Sequence, residues 1–406
     1  MNIMSTNTSI SKMDADTFPY GPLVSPDSVE MDEDRLARVV NRFKKQQVSR
    51  MFPGGQLAAR RSGKLVLNEA LGIARGFRQQ EVRPPVQVQK CTPFPVLSAG
   101  KPLAAICIAL LEDRGLLDVE APIVRIFPEI GKYGKDQITT LDVLTHRSGI
   151  LMPDFVRKRH LWGDREAVQT ALIETVPTYP RGILAYHPYE FGWVLNEIML
   201  RVDGRSLPDF FVDEFAVPLQ LPALRFGLAG RSPDSVAFMY WLGRIKVNVA
   251  GVNVAENFET QNDEEFFESR NTSVSLVCDA ASLAAFYEFL VNDGRTPDGR
   301  QLISDKTLKR YTTVQVSAWD RRLRTPISLG RGFVVGSLFL STFGWWNTGQ
   351  CFGHAGGFSS LAFGDYRTGI SAAIVTNGNK SMSDFMKRFI PLAHGLRNAR
   401  WRRHGR

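Results

Sequence analysis

Cysteine is scarce in this chain and widely scattered. The 406 residues hold four, at Cys91, Cys107, Cys278 and Cys351, with no C-x-x-C pair. That spacing excludes a disulfide-built scaffold and a thiolate zinc site, and leaves the cysteines as small core residues. Histidine is scarce as well. The six histidines form neither H-x-x-x-H nor H-E-x-x-H, so no metal is expected. No apolar run approaches ~20 residues, the length needed to span a bilayer. The first thirty residues lack a basic start followed by an apolar run. They do not read as a secretory leader, and a cytoplasmic location is expected.

What remains is an ordinary soluble composition, 44% hydrophobic and 22% charged, in a chain long enough to bury a large core. The net charge is +9. Much of the excess sits in a basic C-terminal tail, residues 397–406, with Arg397, Arg400, Arg402, Arg403 and Arg406 around Trp401. No nucleic-acid-binding motif accompanies it, so it reads as a solvated tail and no nucleic-acid partner is expected. Residues 1–30, rich in Ser, Thr, Asp and Pro, read as a disordered N-terminal tail.

One stretch organises the rest. After Phe94 to Leu97 comes Ser98-Ala99-Gly100-Lys101-Pro102, then the apolar run Leu103 to Leu111 and the polar Glu112 to Gly115. The run predicts a buried helix that Gly115 ends. Pro102 is compatible with a first turn, where its missing N–H is not needed. Ser98 and Lys101, three residues apart, then share a face at the positive helix end, which favours their deprotonated forms. A serine and a lysine so placed suit a nucleophile and the group that takes its proton. Ser9 and Lys12 repeat the spacing, but in a polar tail with no helix behind it.

Along the chain, Asp32 to Phe43 predicts an amphipathic helix with an acidic start. Gly54 to Arg75 predicts a hairpin turning at Ser62-Gly63. Thr140 is the expected cap of a helix that begins at Leu141 and ends at Gly149. Tyr186 falls on a loop just before an apolar helix, Phe191 to Val202. Residues 220–272 are irregular and suit a lid or insertion. Asp279 is expected to cap Ala280 to Val291. Strands are expected at Gly332 to Leu340, Ser359 to Gly364 and Gly369 to Thr376, and a closing helix at Ser381 to Leu396. Strands at both ends with helices between them predict an α+β fold. Its antiparallel sheet, flanked by helices, is built from the N- and C-terminal segments, about 31–118 and 310–396. A mainly helical region, about 119–309, is inserted, and together they make one domain over 31–396. Ser98 falls at the boundary, where clefts are common.

Before the late strands lies Trp345-Trp346-Asn347-Thr348-Gly349-Gln350-Cys351-Phe352-Gly353-His354-Ala355-Gly356-Gly357-Phe358. Glycines there allow close backbone approach by a ligand. His354 is placed to donate to a substrate carbonyl or carboxylate. Trp345 and Trp346 suit either an acyl pocket or ordinary core packing.

Ser98-x-x-Lys101, Tyr186 and His354-Ala355-Gly356, in that order, resemble the serine β-lactamase-like, or penicillin-binding-protein-like, family. The branch most like it holds the class C enzymes, the D-alanyl-D-alanine carboxypeptidases and the family VIII carboxylesterases. The resemblance spans roughly residues 33–390 and includes the Leu-Thr-His-x-Ser-Gly run at Leu144 to Gly149. It implies that Ser98 carries a covalent acyl group and that Lys101 and Tyr186 share the general-base role, each with a lowered pKa. It further implies an oxyanion hole from the backbone N–H groups of Ser98 and Gly357, beside His354 and Gly356, and no metal or organic cofactor. The sequence departs from the family at two points. Pro188 stands where β-lactamases carry an asparagine, and His354 where a lysine usually grips the substrate carboxylate. Both point away from antibiotics and toward carboxylic esters. The alternatives are acyl transfer from an ester or a thioester carrier to an alcohol or amine, hydrolysis of β-lactams or D-amino-acid amides, and a catalytically silent binding role. The implied partner is a small ester or acyl compound; the oligomeric state is left open.

Overall fold

Two left-handed residues, Ser62 (φ +53°) and Gly63 (φ +76°), close the hairpin between β1 (Gly54–Arg61) and β2 (Lys64–Arg75). Their conformations match the twist of the flanking strands. This is a computed structural model, and it describes residues 21–79, 81, 84–243, 248–249, 252–253, 258, 260–337, 340–347 and 349–400. The other strands of the main sheet are β3 (Val86–Gln87), β4 (Val316–Asp320), β5 (Thr325–Leu329), β6 (Val334–Val335), β7 (Cys351–Gly356), β8 (Ser360–Asp365) and β9 (Ile370–Thr376). They form one nine-stranded sheet ordered β4-β5-β6-β7-β8-β9-β1-β2-β3, antiparallel throughout. The C-terminal segment thus supplies six adjacent strands, and β9 joins them to the N-terminal hairpin.

The period-two alternation of strand side chains divides the sheet into two faces. Leu57, Ala59, Leu361, Ile370, Ala372 and Ile374 face helices α1 (Glu33–Val48) and α7 (Met382–Asn398). Ala58, Ala362, Ala373 and Val375 face the larger core, with α2 (Lys101–Asp113) and α6 (Ala280–Val291). Asp32, Asp279 and Ser381 cap α1, α6 and α7, each accepting a bond from a backbone N–H of the first turn. The segment between α2 and α6 is mainly helical, including α3 (Thr140–Leu144), α4 (Arg165–Glu174) and α5 (Glu190–Val202).

Several local expectations are corrected. The N-terminal segment is tied to the hairpin from Leu23 onward: Leu23 bridges Leu65, the Val24 N–H donates to the Leu65 carbonyl at 2.9 Å, and Val29 and Met31 are buried. Apolar contact with the hairpin anchors it; residues 1–20 lie outside the described residues. The α3 cap is Thr139, not Thr140, because Asp142 completes a reciprocal box with it. That helix ends at Leu144, ahead of left-handed His146, and Gly149 lies in the following loop, where a Cβ would meet the Tyr179 carbonyl at 1.9 Å.

Of the strand expected over Gly332 to Leu340, Val334–Val335 joins the main sheet and Leu340 pairs with Trp345 in a separate hairpin, while residues 338–339 lie outside the described residues. Strands β4 and β5 were not anticipated; Pro326 and the arginine-rich turn between them obscure the alternation. Arg397 is no solvated tail residue. It belongs to α7, is 1% exposed, and donates to Asp365 Oδ2 at 2.7 Å, while residues 401–406 lie outside the described residues. Cys91 is exposed, unlike the three buried cysteines. Of the irregular stretch 220–272, Tyr240–Trp241 pairs in parallel with Gly378–Asn379, just past β9, as a separate two-stranded sheet. Residues 244–247, 250–251, 254–257 and 259 lie outside the described residues.

Candidate active site

Leu97 carries the chain into the site with φ +53°, a left-handed conformation that costs an L residue about 1–2 kcal/mol. Next comes a 3-10 turn, Leu97–Gly100, leading directly into α2, so Ser98 stands on the turn ahead of the buried helix. The turn is pinned from the sheet. Val96 O accepts from Ala99 N–H at 3.2 Å and from Ser360 Oγ at 2.7 Å. A Cβ on Gly356 would sit 1.9 Å from Val96 O, and one on left-handed Gly357 would sit 2.1 Å from Leu97 Cδ1. Only glycine at both positions lets the end of β7 approach the serine turn this closely.

Lys101 is fully buried on the first turn of α2. Its Nζ lies 3.2 Å from Ser98 Oγ and donates to the carbonyls of Pro188 at 2.8 Å and Ser273 at 3.1 Å. Burial holds its pKa well below the ordinary lysine value, against the opposing charge of Glu190. A neutral amine has two N–H bonds and one lone pair. With both N–H bonds taken by carbonyls, the lone pair is left for the serine hydroxyl. Pro188, which offers no side-chain amide, contributes through its backbone instead.

Tyr186 sits on the loop before α5. Its hydroxyl bonds to Ser98, and its ring centre lies 5.1 Å from Lys101 Nζ. The expected lowering of its pKa is corrected. Burial pushes it up, and the bond to Ser98 offsets this only in part. Burial thus favours the neutral amine and the neutral phenol, because taking either ion out of water is costly. The loop is held by groups that sequence reasoning missed. Asp320, fully buried, accepts from the Tyr186 N–H at 3.0 Å through Oδ2, and through Oδ1 from Arg322 and Leu323 N–H at 2.8 Å each. His146, from the Leu-Thr-His run, packs its ring 4.6 Å from that of Tyr186 and accepts from the His187 N–H at 3.1 Å. His187 Nε2 is 2.9 Å from Ser148 Oγ. Burial lowers both histidines, His187 to about 3, so neither is charged at neutral pH. A carboxylate opening an arginine-rich turn was the one sequence signal for Asp320. Replacing Asp320 with alanine strands three backbone N–H groups and is expected to cost about 3 kcal/mol. Urea unfolding checks this, and an unchanged midpoint counts against it.

His354 on β7 lines the same cavity, its ring 6.1 Å from that of Tyr186. Its Nδ1 lies 2.6 Å from the Ala355 carbonyl and so carries the hydrogen. Burial lowers the pKa to about 3. Nε2 is then an acceptor, with no hydrogen-bond partner among the described residues. The expectation that His354 donates to a carbonyl or carboxylate is corrected: in this tautomer it accepts.

Ser98, Tyr186, His354 and Gly357 line one cavity of about 980 Å³, together with Phe258, Val335, Phe358, Phe385, Met386 and Ile390. Trp345 and Trp346 are not among its lining residues. They are 41% and 66% exposed, and Trp345 packs edge-on against His394, because their hairpin leans on α7. No cluster of metal-ligating side chains occurs among the described residues, and no helix among them is long and apolar enough to cross a membrane.

A mixed fold of this topology, with a serine, a buried lysine and a tyrosine converging at its boundary, defines a class: enzymes that pass an acyl group through a serine. The chain belongs to the beta-lactamase family, whose model, described as Beta-lactamase, matches residues 36–395. It is similar to the esterase/beta-lactamase LipL of Mycobacterium tuberculosis, 27% identical over 397 residues, 90% of this chain and 87% of that one. It is also similar to the monacolin J acid methylbutanoyltransferase of Aspergillus terreus, 26% identical over 231 residues, 50% of this chain and 54% of that one. Among solved structures, a penicillin-binding protein homolog from Caulobacter crescentus superposes with a TM-score of 0.74 at 27% identity, covering 91% of this chain and 97% of that one.

Proposed function

We propose that this protein hydrolyses carboxylic esters through a covalent acyl group on Ser98. The observation that carries the reading is the buried Lys101, its nitrogen against the carbonyls of Pro188 and Ser273 and 3.2 Å from Ser98 Oγ. Ser98 Oγ attacks the ester carbonyl carbon while its proton passes to Lys101. The resulting oxyanion accepts from the backbone N–H groups of Ser98 and Gly357. Collapse expels the alkoxide, which takes the Tyr186 proton; the phenolate recovers one from the Lys101 ammonium. Water enters by the reverse path and frees the acid. A phenol with a raised pKa suits this role, since it holds its proton until a stronger base forms.

The test is intact-mass spectrometry after incubation with p-nitrophenyl butyrate. A butyryl increment mapped to Ser98 is expected, and Ser98→Ala is expected to lose both the increment and the p-nitrophenol release. Full activity in Ser98→Ala would remove the mechanism.

A second reading, acyl transfer from an ester or thioester donor to an alcohol or amine, is favoured by the cavity of about 980 Å³, which has room for acyl group and acceptor together. The unpartnered His354 Nε2 suits an acceptor's O–H or N–H. The similarity to a methylbutanoyltransferase supports the same reading. Release of butyrate alone, with every alcohol and amine offered, would exclude it. Turnover of β-lactams or D-amino-acid amides is the least supported, since no charged group stands at His354 to hold a substrate carboxylate there.

A further inference from the structure

We propose that the rim of the Ser98 cavity carries an anion subsite, formed by Arg324 and Arg322, that takes a carboxylate or phosphate on the acyl compound. The proposal rests on the acyl-serine reading above and names the substrate class for it.

The charge inventory of the cavity is the ground. Among the described residues lining it, Arg322 and Arg324 are the ones charged at neutral pH, and no Asp, Glu or Lys is present. The remaining wall is largely apolar, with Phe358, Phe385, Met386 and Ile390 among its members. Low-dielectric walls strengthen the field of a charge at their edge. Such a cavity attracts an amphipathic compound with its negative group away from the reacting carbonyl, and disfavours a cation.

Arg324 is not spoken for by the fold. Other arginines are ion-paired in the core: Arg60 with Glu288, Arg331 with Glu112, Arg388 with Asp384 and Arg397 with Asp365. The Arg324 guanidinium is exposed and makes no ion pair or hydrogen bond among the described residues. Its backbone is left-handed at φ +53°, a strained position for a non-glycine residue. The turn is nonetheless firmly built. Asp320 accepts from the N–H groups of Arg322 and Leu323 through its side chain, and from that of Arg324 through its carbonyl at 2.9 Å. The other oxygen of the same carboxylate holds the Tyr186 N–H. The backbones that carry the two arginines and the phenol beside Ser98 are thus tied to one buried residue, which places both arginines on the wall of the same cavity. A guanidinium is suited to both anions, since its fork of N–H groups donates to either in bidentate fashion.

The test uses matched substrates on the full chain. The first pair is p-nitrophenyl butyrate against mono-p-nitrophenyl glutarate, which adds a carboxylate on the acyl side. The second is S-butyryl-N-acetylcysteamine against butyryl-coenzyme A, which adds phosphates on the carrier side. At low salt, kcat/KM for the anionic member of one pair is expected to exceed that of its neutral partner by about tenfold, and the ratio to fall toward one at about 0.5 M salt. Arg324→Glu is expected to cut that ratio by a further factor of about ten at low salt, where charge reversal acts most strongly. The glutarate pair responding assigns a substrate carboxylate; the coenzyme A pair responding assigns a carrier phosphate. Ratios near one in both pairs, or ratios unchanged in a folded Arg324→Glu protein, overturn the subsite. If none of the four compounds acylates Ser98, the acyl-serine reading fails instead. Calorimetric binding of glutarate or coenzyme A, lost in Arg324→Glu, would then still support the subsite, and no binding of either would overturn it.

Discussion

Lys101→Met is expected to lower kcat/KM for p-nitrophenyl butyrate by about 10³-fold, within the range a positioned general base supplies. The pH dependence carries more information than the loss. Lys101 acts only when neutral, and burial keeps its pKa well below the ordinary value. Wild-type acylation therefore declines on the acid side as pH falls through that depressed pKa, and is flat above it. A lysine with the ordinary pKa of about 10.4 would instead give a rate climbing tenfold per unit across the alkaline range. Stability follows the same linkage. Between the depressed folded pKa and about 10.4 the unfolded lysine binds a proton that the folded one does not, so stability rises with pH across that window. The slope difference between wild type and Lys101→Met isolates this contribution. A rate proportional to hydroxide through pH 10, or equal slopes in both proteins, would show that Lys101 is an ammonium ion and not the base.

Gly356→Ala is expected to damage both the fold and the chemistry. The added methyl has no space: Val96 O is 1.9 Å away, Ser360 Oγ 2.5 Å and Ala99 N 2.9 Å. These are the atoms whose hydrogen bonds shape the turn of Ser98. Relief requires β7 to move away from the turn, at a cost of about 3 kcal/mol, the upper end for overpacking. It also carries Gly357 away from Ser98, and a shift of about 1 Å between the two proposed oxyanion donors is expected to cost on the order of 10²-fold in rate. Thermal unfolding and steady-state kinetics on the same preparation read both. Wild-type kcat in a destabilised Gly356→Ala protein would mean that this contact serves stability alone.

The chain order made the architecture legible: strands at both ends, helices between, and a buried helix headed by Ser98 and Lys101. Short-range physics decided those features. The 3.6-residue period of α2, the Ser62-Gly63 turn and the caps at Asp32, Asp279 and Ser381 involve neighbours a few positions apart. Tyr186 and His354 were legible only as members of a spaced set. The edges were less legible. The two-residue pairing of β6 depends on Phe352, and the packing of Val24 on Leu65 is a contact between distant segments. β4 and β5 were hidden because Pro326 and three arginines break the alternation.

Protonation was beyond the sequence altogether. Helix-end electrostatics suggested that Lys101 loses its proton easily, and the family resemblance implied the same for Tyr186, but burial moves an amine and a phenol in opposite directions, and burial belongs to the packed molecule. The hydrogen on His354 Nδ1 is likewise set by the Ala355 carbonyl. Trp345 and Trp346 lie close to His354 along the chain yet outside the cavity, while Phe385 and Met386 line it from α7. Residue types and their local spacing determined which groups this protein has for acyl chemistry. The tertiary structure decided which of them share a cavity, which hold protons and which charges face the substrate, because solvation and long-range contact exist only once the chain has closed around them.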